Sequence, residues 1–117
     1  MTTLEIGRRL VELCKQGKNV EAIQELYADD AASAEPFGDE VRGRDALLAR
    51  LAAIRGGLTI HQATCEGPYP HHDRFVVHFT RDATMHATGV RSTIDEMGVY
   101  TVAGGKIARS EFFYVTQ

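Results

Sequence analysis

Up to Gly57 the apolar positions of this chain recur every three or four residues, and beyond it they alternate. Thr2 and Glu5 form a capping box, after which Ile6, Leu10, Leu13 and Cys14 keep helical spacing until Gly17 stops the pattern. Asn19 is placed to cap a second, shorter helix, with Glu21 in its first turn and Ile23, Leu26 and Tyr27 as its stripe, ending near Asp29-Asp30. Ala31 to Glu35 reads as a small strand, closed by Pro36 and Gly38 and followed by the polar stretch Asp39 to Gly43. From Arg44 to Arg55, Leu47, Leu48, Leu51 and Ile54 share one helical face, and Gly56-Gly57 ends it.

The second half accumulates β-branched and aromatic residues. Leu58 to Glu66 predicts one strand, broken by Gly67-Pro68-Tyr69-Pro70. Arg74 to Met85 predicts the next, with Phe75, Val77 and Phe79 on one face. A turn at Ala87-Thr88-Gly89 leads into a long strand from Val90 to Val102, and Gly104-Gly105 turns it into Lys106 to Thr116. Helices followed by an antiparallel meander define an α+β layout, the helices covering one face of a curved sheet.

Composition narrows the function classes. A chain of 117 residues with 44% hydrophobic content suits one domain. Thirteen scattered basic residues against 16 acidic ones, a net charge of −3, offer no field for phosphates, so nucleic acid is not an expected partner. No apolar run reaches the roughly 18 residues of a membrane span, and Met1 to Glu5 lacks the basic start of a leader, which makes the cytosol the expected compartment. Cys14 and Cys65 have no second Cys or His at zinc-ligand spacing and read as buried thiols, with one disulfide as the alternative.

Three segments carry a family likeness: Leu26 to Ala31 with Glu35-Pro36-Phe37-Gly38, then Gly43-Arg44-Asp45-Ala46-Leu47, and Val99 to Ile107. With the order of elements, they make the chain resemble the nuclear transport factor 2-like superfamily of ketosteroid isomerases and SnoaL-like polyketide cyclases. The resemblance implies a cone-shaped curved antiparallel sheet covered by three N-terminal helices (a cystatin-like α+β barrel), a pocket for an apolar small molecule, no cofactor, and a homodimer formed through the sheet. That fold hosts enzymes, ligand carriers and assembly subunits alike.

Glu35 is the most informative residue, an acid ending the small-residue run Ala31-Ala32-Ser33-Ala34 just before Pro36. By resemblance it corresponds to the carboxylate that abstracts a carbon-bound proton. A carboxylate entering an apolar cavity has its charged form disfavoured, which raises its proton affinity toward a useful general base. Alternation leaves its direction open between cavity and solvent. The resemblance also implies a tyrosine on the first helix, where counting back lands near Val11, and a second acid near Gly98; Glu96 is the nearest carboxylate of the same strand phase.

Glu96, Gly98, Tyr100 and Val102 share a strand face, as do Ala108, Ser110, Phe112 and Tyr114. By resemblance these faces are concave, so Glu35 and Glu96 would approach across a pocket rimmed by Tyr100, Phe112 and Tyr114. These aromatics and Phe37 are the candidate ligand contacts, with core packing as the ordinary alternative. His78 lies opposite to Phe75, Val77 and Phe79 and becomes a second acid or base if its face is concave. His71, His72, Asp73, His78 and His86 show no persuasive metal spacing. Arg42, Arg44 and Asp45 crowd a helix start and match poorly the Asp-Arg-Asp relay of the superfamily's epoxide hydrolases.

Two functional classes follow: a cofactor-independent isomerase or cyclase using Glu35 on an apolar carbonyl compound, and a domain that binds an apolar ligand without turnover. A third is an association module, pairing copies through Val99, Thr101, Ile107, Arg109, Glu111 and Phe113.

Overall fold

A computed structural model describes every residue except Phe37 and 115–117. The chain runs α1 (Thr3–Lys15), α2 (Asn19–Leu26), β1 (Tyr27–Ala34), β2 (Val41–Arg42), α3 (Arg44–Gly56), β3 (Leu58–His71), β4 (Arg74–Met85), β5 (Arg91–Ala103) and β6 (Lys106–Tyr114). One curved sheet holds the strands in the order β2-β1-β6-β5-β4-β3, antiparallel throughout except where β1 lies parallel to β6. The expected α+β cone is therefore present, but the sheet does not close into a barrel: β2 and β3 are its edges.

Local chemistry sets most boundaries. Thr2 Oγ1 accepts from the Glu5 amide at 3.1 Å while Glu5 Oε1 accepts from the Thr2 amide at 2.9 Å, so the capping box forms. Gly104 and Gly105, at φ 59° and 76°, make a turn whose two positive φ values match the twist of the β5–β6 hairpin.

Other expectations are corrected. Helix α2 stops at Leu26 and not near Asp29-Asp30, because Tyr27 already pairs with Ile107 in the sheet. Asn19 does not cap α2; Lys18 precedes it with no side-chain cap, and the Asn19 amide is engaged by Cys14 and Arg55. Gly67 to Pro70 does not break β3: a register shift between Glu66 and Tyr69 absorbs the irregularity. An edge strand tolerates prolines that lack an N–H. Val41–Arg42, read as a polar loop, adds the short edge strand β2.

The core lies between the concave face and the helices, built from Ile6, Leu10, Leu26, Leu47, Phe75, Val77, Phe79 and Ile107. Ile107 thus belongs inside and not on the outer pairing face, because register shifts on both sides of β6 turn it inward. Helix α1 sits hard on the sheet: a Cβ added to Gly7 would lie 2.7 Å from Pro68 Cβ and 3.2 Å from Phe75 Cδ2. Among the described residues no helix is long and apolar enough to cross a membrane.

Candidate functional site

The helices do not fill the cone. A cleft of about 710 Å³ remains between them and the concave face, with half-exposed Ile54 and Met85 at its open end and buried Tyr27 and Tyr100 at the other. Its walls are largely aliphatic and aromatic, yet Glu35, Arg50, Arg81 and Glu96 all face into it.

Strand phase delivers one side of this set. Ser33, in β1, and Glu35, just past its end, are two residues apart and share a face. Arg50 follows Leu47 by one turn of α3 and reaches across: its Nη2 donates to Ser33 Oγ at 2.6 Å and lies 3.9 Å from Glu35 Oε1. Ser110 Oγ, from β6, donates to Ser33 Oγ at 2.9 Å, and Ser110 and Tyr100 neighbour the buried Tyr27 phenol and lower its pKa against burial. A polar thread therefore runs from Ser110 to Glu35. Arg50 Nη1 is the exception: it is buried and has no hydrogen-bond partner among the described residues. A buried donor without an acceptor is costly, and such groups call for an explanation.

The opposite wall is an ion pair. Glu96, 7% exposed, accepts from Arg81 Nη1 at 2.5 Å, and the same guanidinium lies 5.2 Å from the Phe79 ring centroid. Burial is the main cause that raises the Glu35 pKa above the ordinary carboxylate range; Arg50 opposes it, the Glu96 charge adds to it, and Arg81 opposes it. Burial also pushes the Tyr27 phenol up to about 12 and the Tyr100 phenol higher than usual. Tyr114 shifts upward through burial and then through the charges of Glu96 and Glu35.

Sequence-predicted residues divide clearly. Glu35, Glu96, Tyr100, Phe112 and Tyr114 line one cleft. Phe37 lies outside the described residues. His78 is corrected: Phe75, Val77 and Phe79 face the core, so alternation turns His78 to the convex side, where its Nε2 meets Asp95 Oδ1 at 2.5 Å. No acid would fit at position 98, where an added Cβ would lie 2.8 Å from Tyr100 Cε2 and 3.1 Å from Phe112 Cε1. Val11 is a core residue, so α1 offers no phenol there.

Arg44 pairs with Asp29 at 2.7 Å and Arg42 donates to Asp30 O at 3.2 Å, both away from the cleft. Among the described residues no three His, Cys, Asp or Glu side chains gather to hold a metal ion. Arg50, Arg81, Ser33 and Tyr27 are the site residues that sequence reasoning missed. The signal for Arg50 was its place between Leu47, Leu51 and Ile54 on the apolar stripe; for Arg81, its strand phase with Phe79.

Comparison with known proteins adds a family. The SnoaL-like domain matches residues 8–110. A structure from Mesorhizobium loti, described as a SnoaL-like polyketide cyclase with carbohydrate phosphatase in brackets, is 39% identical, covers 97% of this chain and 100% of its own, and superposes with a TM-score of 0.94. A protein described as a SnoaL-like polyketide cyclase from Jannaschia sp. is 16% identical with a TM-score of 0.79, over 96% of this chain and 84% of its own. One described as an isomerase from Bacillus subtilis is 17% identical with a TM-score of 0.76, over 98% and 90%. The latter two speak to the fold alone. Among curated proteins no sequence matches the chain.

Proposed function

Because this chain belongs to the SnoaL-like domain family, we propose that its cleft performs cofactor-independent proton transfer on an apolar carbonyl compound, as an isomerase or cyclase, with Glu35 as general base. The supporting observation is a juxtaposition: a carboxylate whose proton affinity is raised stands 3.9 Å from a guanidinium whose buried Nη1 has no hydrogen-bond partner among the described residues. Removing a proton beside a carbonyl puts negative charge on its oxygen, and catalysis needs a donor aimed at that oxygen. Arg50 Nη1 supplies it in place of the tyrosine absent from α1. Ser33 fixes the guanidinium, and Ser110 fixes Ser33. Glu96, held by Arg81, raises the proton affinity of Glu35 and strengthens its hold on the abstracted proton. Tyr100, Phe112 and Tyr114 accommodate the apolar body of the substrate.

Exchange of carbon-bound hydrogen in D₂O, followed by NMR over a panel of cyclic enones and aromatic β-diketones, tests this directly. At least one compound is expected to exchange faster with the protein than in buffer, and Glu35→Gln is expected to slow it by about 100-fold or more. The rate rises with pH as Glu35 ionises, the rise centred above the usual carboxylate range. Saturable binding of these compounds without enhanced exchange, or exchange indifferent to Glu35→Gln, overturns the proposal and leaves a ligand carrier.

A further inference from the structure

A second cleft of about 390 Å³ opens where the end of α1, the start of α2 and β3 meet. Two free thiols come together in it, half-buried Cys14 from the last turn of α1 and buried Cys65 from β3. They lie close enough for each to alter the other's proton affinity. Asn19 holds one of them: its Nδ2 donates to Cys14 Sγ at 3.6 Å, while its Oδ1 accepts from Arg55 Nη2 at 2.8 Å. Lys15, Arg55 and Arg81 also line this cleft, and no carboxylate does. Proton transfer at Glu35 uses neither sulfur.

Reactive cysteines occupy electropositive, accessible surroundings, whereas structural ones sit in apolar packing. This pair combines the two: Cys65 is 7% exposed and packs with the core, yet both sulfurs border a cleft lined by Lys15, Arg55 and Arg81. We propose that Cys65 and Cys14 form a redox-sensitive dithiol that closes to a disulfide on meeting a hydroperoxide, with Cys65 as the attacking thiolate and Cys14 as the resolving thiol. The roles follow from position. Cys14 sits at the carbonyl end of α1, where a negative charge is disfavoured. Cys14 lowers the Cys65 pKa against the opposing effect of burial, with Lys15 and Arg81 adding to the lowering, while Cys65 and burial both push the Cys14 thiol up.

The chemistry balances. The Cys65 thiolate attacks the terminal oxygen of the hydroperoxide; an S–O bond forms as the O–O bond breaks, and the departing alkoxide takes up the proton that Cys65 had released, giving an alcohol. Cys14 sulfur then attacks the Cys65 sulfenic acid; the S–S bond forms, the S–O bond breaks, and hydroxide leaves with the Cys14 proton as water. Two thiols lose two electrons and the hydroperoxide gains them. The bond would lock α1 onto β3, and Cys14 also lines the larger cleft.

The test uses the full chain, reduced, freed of reductant and treated with equimolar hydrogen peroxide before maleimide labelling and intact-mass measurement. The expected result is a monomer lighter by two hydrogens that takes up no maleimide, with both thiols restored by dithiothreitol. Cys14→Ser is expected to accumulate a dimedone-reactive sulfenic acid at Cys65, and Cys65→Ser to consume peroxide at least about tenfold more slowly. Two maleimide-reactive thiols persisting after peroxide, disulfides only between chains, or a Cys65→Ser variant as fast as the parent would each overturn the proposal.

Discussion

At Glu35 two forces compete: burial disfavours the charge and Arg50 favours it, and burial wins. Its folded pKa therefore lies above its unfolded one. The stability it lends is full below the unfolded pKa and is lost as pH rises through the folded pKa. Glu35→Gln should consequently melt with the parent in acid and slightly above it at neutral pH. Partial exposure screens the gain to less than the roughly 4 °C that 1 kcal/mol moves a domain of this size. A lower melting temperature for Glu35→Gln at neutral pH would show that the Arg50 pair outweighs desolvation. Glu35 was legible because an acid interrupts a run of small residues before a proline. Arg50 was not, since an arginine on a helix reads as solvated; its long stem let the guanidinium reach Ser33 from an otherwise apolar stripe. Tyr27 packs in the core as its apolar spacing implies, but from the first position of β1, because nothing local shows that the chain is already a strand there.

At the scale of elements, the close seat of α1 on the sheet depends on one absent methyl group. Gly7→Ala would place a Cβ against Pro68 and Phe75, neither of which is the flexible end of a long side chain. The expected cost is about 1–3 kcal/mol, measurable as a lower midpoint in urea with an unchanged slope. A midpoint equal to the parent's would mean that α1 can lift without penalty. The helices and the long strands were legible because caps, spacing and alternation are local signals. β2 and the first half of β1 were not: both owe their conformation to distant partners, Arg42 pairing with Ala32 and Tyr27 with Ile107. The bulge in β3 was hidden for the converse reason, since Gly and Pro give a strong local stop that edge pairing overrides.

For the molecule as a whole, the convex face carries half-exposed Met97 and Phe113 directly opposite one another on β5 and β6. We propose that a second copy covers them. Arg109 is satisfied within its own chain by Glu40 and Glu111, so the apolar pair, and not that arginine, would provide the contact. Sedimentation is expected to show a dimer at micromolar concentration and Phe113→Glu a monomer; a monomeric parent would remove the proposal. The far rim of the sheet has a different character. Along β3, Pro68 and Pro70 offer no N–H and the register slips twice, between Ile60 and Gln62 and between Glu66 and Tyr69. An unpaired strand is a template for indiscriminate stacking of chains unless its hydrogen-bonding comb is interrupted. Here it is interrupted along its length, so the open cone does not present a continuous margin on which further chains could stack.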